Sequence, residues 1–147
     1  MEKLQFTILI SASREKVWEI LWGEIEYPEW TSVFSPESRV VTDWKKGSRA
    51  QFLDGAGDGL ISIIDEHIHA SLMSFRHVGV LKNGVEDLLE PEKKGWSGAM
   101  ETYSLHELDG STELIVQIDT VPVDKNFFQK AWPEAMQKIK EMSEAEA

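Results

Sequence analysis

The chain has 147 residues, 41% hydrophobic and 28% charged, with 26 Asp and Glu against 15 Lys and Arg for a formal charge of −11, and no cysteine. A surplus of this sign argues against a nucleic-acid partner, whose phosphates need a basic face, and against docking on anionic lipid. The lack of cysteine removes disulfides, thiolate catalysis and Cys-ligated zinc, while no stretch approaches the ~20 apolar residues of a membrane span. The apolar run Phe6 to Ile10 is too short and too interrupted for a signal peptide, so a cytoplasmic location is the default expectation. One domain of this length buries roughly 68–70% of its unfolded surface, enough for a core and a cavity.

Leu4, Phe6, Ile8 and Ile10 alternate with Gln5 and Thr7, the period-two pattern of a strand with one buried face. Ser13 is suited to N-cap a short helix, although Lys16 stands where a capping box takes Glu or Gln, and Val17, Trp18, Ile20 and Leu21 form its apolar stripe up to Gly23. Tyr27 to Trp30 reads as a second helical turn with Pro28 near its start. Strands are predicted over 39–44, 49–53, 60–68, 71–78, 96–108 and 112–121. Their connections include the turn Lys45-Lys46-Gly47, the glycine-rich hairpin 54–59 and Asp109-Gly110. Residues Gly79 to Gly95 break the rhythm and read as a long loop, a candidate gate over a cavity mouth. Pro122 and Asp124 lead into a helix whose stripe is Phe128, Ala131, Trp132, Ala135, Ile139 and Met142, with Pro133 predicted to kink or restart it and a fraying tail from Ser143. An antiparallel sheet needs a cover on its buried face, and this last helix is the long apolar-striped element available. The fold class is therefore α+β.

The segment Ile8 to Leu21 resembles the opening of START-like (SRPBCC) proteins, in which a strand meets a small-residue turn and then x-x-x-V-W-x-x-L. Glu29-Trp30 matches the x-W of the second short helix, Val41 to Ser48 the W-x-x-G-S turn, and Trp96 to Leu105 with Asp109 to Leu114 the closing hairpin. The branch most similar is that of the activator of heat-shock protein 90 ATPase, C-terminal-domain type. The resemblance implies one helix-grip domain over 1–147, with a curved antiparallel sheet of about six to seven strands around a long C-terminal helix, two short helices after strand 1, and a cavity between sheet and helix. Relatives of this kind include lipid and hormone binders, polyketide cyclases and co-chaperone domains. The branch therefore implies a chaperone as one possible partner.

Sequence motifs point to binding more than to catalysis. Asp54 to Gly59 has Asp at positions one and five of a calcium loop, but Ala56 cannot ligate at position three, and Leu60 stands where a dinucleotide fingerprint needs its third glycine. Asp65, His67 and His69 share one strand face, yet one strand alone seldom closes a metal site, so neither metal nor cofactor is expected. Gly95-Trp96-Ser97-Gly98 lacks the serine-elbow spacing, and His106-Glu107 lacks a second histidine. Six tryptophans and six phenylalanines stand out. Trp30, Phe34, Phe52, Phe75, Trp96, Trp132 and Met136 come from elements that should surround the cavity, either as core packing or as the wall of a ligand pocket. Arg76, His77, Glu101 and Tyr103 are candidate polar groups; alternation pairs His77 with Phe75 and Glu101 with Tyr103, without deciding which parity points inward. The functional expectation is a monomer or weak homodimer binding a small apolar or amphipathic ligand. Two alternatives stay open: a chaperone-interacting domain, and a cyclase- or hydrolase-type enzyme using a pocket carboxylate or histidine as acid or base.

Overall fold

The computed structural model of the chain describes residues 1–88 and 98–145. Its elements run β1 (Glu2–Ile10), α1 (Arg14–Trp22), α2 (Glu26–Trp30) with a 3₁₀ turn Thr31–Val33, β2 (Arg39–Val41), β3 (Arg49–Leu53), β4 (Gly59–Ile68), β5 (Leu72–Lys82), β6 (Val85–Leu88), β7 (Met100–Leu108), β8 (Ser111–Thr120) and α3 (Pro122–Glu144). Eight strands make one antiparallel sheet in the order β1-β8-β7-β5-β4-β3-β2, with β6 adding to the far end of β5. The long C-terminal helix lies across this sheet against β1 and α1, as a helix-grip fold requires.

Alternation decides the two faces. In β8, Thr112, Leu114, Val116, Ile118 and Thr120 are buried. Across from them Leu4, Phe6 and Ile8 of β1 pair with Ile118, Val116 and Leu114, which places one apolar face of both strands under α3. Helix α1 starts where Ser13 Oγ accepts the Lys16 amide at 3.1 Å, and it turns Val17, Trp18, Ile20, Leu21 and Trp22 into the core. Helix α2 is anchored by Trp30, whose indole N–H donates to the Leu21 carbonyl at 3.1 Å.

Two expectations from sequence change here. Helix α3 runs from Pro122 to Glu144 without restarting at Pro133. Pro133 is exposed, while Ala131, Trp132, Ala135, Met136 and Ile139 face the sheet, so the backbone bond lost at the proline is on the solvent side, where water can bond the freed carbonyl. The predicted loop 79–95 is also largely a hairpin in its first half. Strand β5 continues to Lys82, Asn83 and Gly84 turn with φ 51 and 78, and β6 returns antiparallel to Leu88. Two consecutive positive φ values are what a two-residue hairpin turn needs, and Asn-Gly supplies them at little cost. The rest of that segment, 89–95, lies outside the described residues, and so does Trp96.

Candidate functional site

A cavity of about 440 Å³ opens between the concave face of the sheet and helices α2 and α3. Its walls are aromatic: Tyr27 and Trp30 from α2, Phe34 after it, Phe52 from β3, Tyr103 from β7, and Phe127, Phe128 and Trp132 from α3. These rings touch in a continuous series. Phe34 and Trp30 lie 4.9 and 6.0 Å from Trp132, Trp30 lies 5.5 Å from Tyr27, and Tyr27 lies 6.5 Å from Phe52.

The wall carries one polar cluster, built by the register of three strands. Glu101 of β7 lies directly opposite Phe75 of β5, so the two share a face, and His77 is the next residue inward on β5. Ser62 of β4 pairs with His77. The backbone of His77 is clamped by the Ala99 carbonyl at 2.9 Å and the Gly98 amide at 2.8 Å. A bulge between Ile61 and Ser62 shifts the β4–β5 register past Val78, and both His77 and Val80 then face the cavity.

The side chains form a chain of bonds. Ser62 Oγ lies 2.6 Å from His77 Nδ1, His77 Nε2 lies 3.2 Å from Glu101 Oε1, and the Tyr103 hydroxyl donates to Glu101 Oε2. Burial pushes the Glu101 carboxyl up, but the hydrogen bond and charge of His77 and the bond from Tyr103 outweigh it and hold the group below the usual carboxylate range. His77 therefore bridges the two side chains, its Nε2 turned to Glu101 and its Nδ1 to the Ser62 hydroxyl. Ser62 is fully buried and does not line the cavity, so it orients the ring and is not a nucleophile within reach of a substrate. Glu101 keeps 23% of its side chain exposed, and it lines the cavity.

The protein has two tyrosines, and both stand in this wall. Burial first, then the charge of Glu101, raises both phenols well above their ordinary value of 10.0. A raised folded-state pKa contributes stability that is complete below the unfolded value and is lost as pH rises toward the folded one. Titration of the native protein followed at 295 nm should therefore show no tyrosinate through pH ~10–11, and ionisation should come in one step with unfolding. In denaturant both should ionise near the ordinary value. A native tyrosinate signal with a midpoint near 10 would show that the cluster is open to water.

The sequence candidates separate by position. Trp30, Phe34, Phe52, His77, Glu101, Tyr103 and Trp132 line the cavity. Phe75 does not: it is fully buried behind the wall, edge-on to Phe52 at 4.9 Å. Met136 lies one turn beyond Trp132 on the same buried face of α3 and packs in the core, also away from the lining. Arg76 points out from the opposite face. Tyr27, Asp119, Asp124 and Phe127 line the cavity without having been singled out as site residues, and so does Val80, from the segment read as a gate. Tyr27 had a readable signal, since it stands three residues before Trp30 on one helical face. Elsewhere, His67 and His69 flank Trp18 at 5.7 and 5.9 Å, with His67 Nδ1 bonded to the Trp44 carbonyl. Among the described residues no three His, Asp or Glu side chains are grouped closely enough to hold a metal ion. Asp54 takes up its turn instead, accepting the Ala56 and Asp58 amides at 2.8 and 3.1 Å. No helix among the described residues is long and apolar enough to cross a membrane.

No protein-family model and no curated protein matches this sequence. Solved structures do. The Aha1 dimer from Colwellia psychrerythraea, solved in solution, is similar at 19% identity and a TM-score of 0.73, over 99% of this chain and 98% of that one. DynU16, a protein in the dynemicin biosynthetic locus, is similar at 15% identity and a TM-score of 0.72, over 99% of this chain and 48% of its own. CalU16 from Micromonospora echinospora follows at 11% identity and a TM-score of 0.66, over 97% and 76%. At these identities the shared property is the helix-grip fold.

Proposed function

We propose that this protein, as one START-like domain in the cytoplasm, binds a single small and largely apolar molecule in the cavity beneath α3, with the ligand's polar end at Glu101 and His77. One observation carries the reading: aromatic walls enclose about 440 Å³ and carry a hydrogen-bonded carboxylate that still reaches the space. Ligand sites are typically ≈ 300–1,000 Å³, mostly apolar, with a few placed polar groups. A carboxylate held below its usual range against burial, on the wall of a cavity, is the kind of group that clusters at functional sites. The fold neighbours include a protein of a biosynthetic locus, which fits a small-molecule role without naming the molecule.

A second reading is supported by the same pair. A carboxylate beside a histidine on a cavity wall is the arrangement of a general base, and a cyclase- or hydrolase-type reaction can use it. Against a nucleophilic route stands the burial of Ser62. The chaperone reading draws on the Aha1 dimer alone, and with it the expectation of self-association.

Native mass spectrometry of freshly purified protein, with titration by the neutral dye Nile red, tests the binding reading. One dye per chain is expected. Val80→Trp, which fills space on the wall without touching the polar cluster, should weaken binding by about tenfold or more, 1.4 kcal/mol per decade. No co-purified mass together with no saturable dye binding would defeat the proposal.

A further inference from the structure

Given that the cavity is a ligand site, its electrostatics select the head group. We infer that the ligand is an apolar ammonium: an amine or quaternary ammonium whose cationic head sits among Tyr27, Phe52, Tyr103 and Glu101. Three carboxylates line the space, Glu101, Asp119 and Asp124; among the described lining residues there is no lysine or arginine, and the histidine, His77, has its two ring nitrogens on Ser62 and Glu101. Asp119 is already bound to Lys3 and to the Met100 amide, each at 2.9 Å, and Asp124 is exposed at the start of α3. Glu101 is thus the charge presented to the interior of the space.

Its two oxygens each accept one bond from the protein, from His77 and from Tyr103. A carboxylate oxygen has two lone-pair sites, so each can take one more donor from a ligand. Tyr27 adds a second vacancy. It is 9% exposed and lines the cavity, and among the described residues no group bonds its hydroxyl. Aromatic faces with a nearby carboxylate attract a cation through the ring quadrupole and through charge together, within ≈ 6 Å of a ring centroid. A carboxylate ligand meets the opposite: it would stand beside Glu101, and no Lys or Arg in the described lining would pair it. A neutral alcohol falls between, able to donate one hydrogen bond without gaining charge attraction.

The test uses three probes with one tail, decyltrimethylammonium, 1-decanol and decanoate, each below its micelle concentration and at 0.15 M salt. At that ionic strength the general field of the −11 chain is screened beyond ≈ 8 Å. Competition against Nile red should rank the ammonium about tenfold or more above the alcohol, with decanoate weakest. E101Q should bring the ammonium within about twofold of the alcohol, because it removes the charge attraction that separates the two. E107Q removes the same charge from the exposed far end of β7, about 20 Å along the strand at ~3.3 Å per residue, and should leave the ranking intact. Decanoate equal to the ammonium, or an ammonium preference that survives E101Q, would overturn the inference while leaving the cavity a ligand site. If none of the three displaces the dye, the inference falls, while saturable Nile red binding still marks the cavity as a ligand site. If E101Q does not fold, the wild-type ranking alone decides.

Discussion

Trp132→Ala should cost about 3–5 kcal/mol of stability, the range for a buried large aromatic, and should do so without changing the element order of the fold. The indole is 3% exposed and is where α3 meets three other elements. Phe6 of β1 stacks on it at 6.1 Å, Phe34 approaches from the loop after α2 at 4.9 Å, and Trp30 and Tyr103 each lie 6.0 Å away. Removing it deletes all four contacts at once. Its edge also borders the cavity, so the space left joins one already present and water or side chains can enter it. That places the expected loss in the lower half of the range. Val123 offers the contrast: it is 85% exposed on the same helix, and Val123→Ala should stay within about 0.5 kcal/mol. Urea melts followed by circular dichroism, checked for a single cooperative transition, measure both. A loss under about 1 kcal/mol for Trp132→Ala would mean that α3 is not held to the sheet by this residue.

The reason so much of this fold was readable is that its long elements carry strong periods. Phe6-to-Ile10 alternation gave β1, the stripe around Trp132 gave α3, and Asp109-Gly110 gave the turn between β7 and β8. The site was less readable for a specific reason. Whether Phe75 and His77, or Arg76, faced inward depended on how β5 docks between β4 and β7, which is a long-range register and leaves no local trace. The bulge beyond Ile61 then shifts the pattern again, so that His77 and Val80 line one space although they are three residues apart in a strand. Ser62 could not have been linked to His77 without that register. Asn83-Gly84, by contrast, is a legible hairpin signal, masked by the acidic residues that follow it in the return strand. Pro133 does not restart α3, because a proline's effect depends on which face of the helix it occupies, and that face is set by the packing of the helix on the sheet.

Tyr103→Phe should cost about 1.5–3 kcal/mol at pH 7, the range for a hydrogen bond to a charged group, and the cost should shrink as the solution is made acidic. The change keeps the ring, with its edge contact to Trp22 at 4.8 Å, and removes only the hydroxyl that donates to Glu101. The folded-state pKa of Glu101 is depressed, against burial, by His77 and by this same hydroxyl. A depressed carboxylate contributes stability that is present above its unfolded value, near ~4.3, and is lost as pH falls through the folded one. Without Tyr103's donor the folded pKa rises, so the variant has less of that stability to lose. Wild type and variant therefore differ most above pH ~5 and converge below it. In an E101Q background the charge is absent at every pH, and the same hydroxyl deletion should cost only about 0.5–1.5 kcal/mol with no pH dependence between 3 and 7. Phenol ionisation plays no part in this window, since burial and Glu101 keep Tyr103 neutral far above it. Urea melts of the four proteins at pH 4, 5 and 7 complete the cycle. A Tyr103→Phe cost that is the same at all three pH values, or the same with and without the carboxylate, would show that Glu101 is not held ionised at the cavity wall, and the electrostatic basis for its ligand preference would go with it.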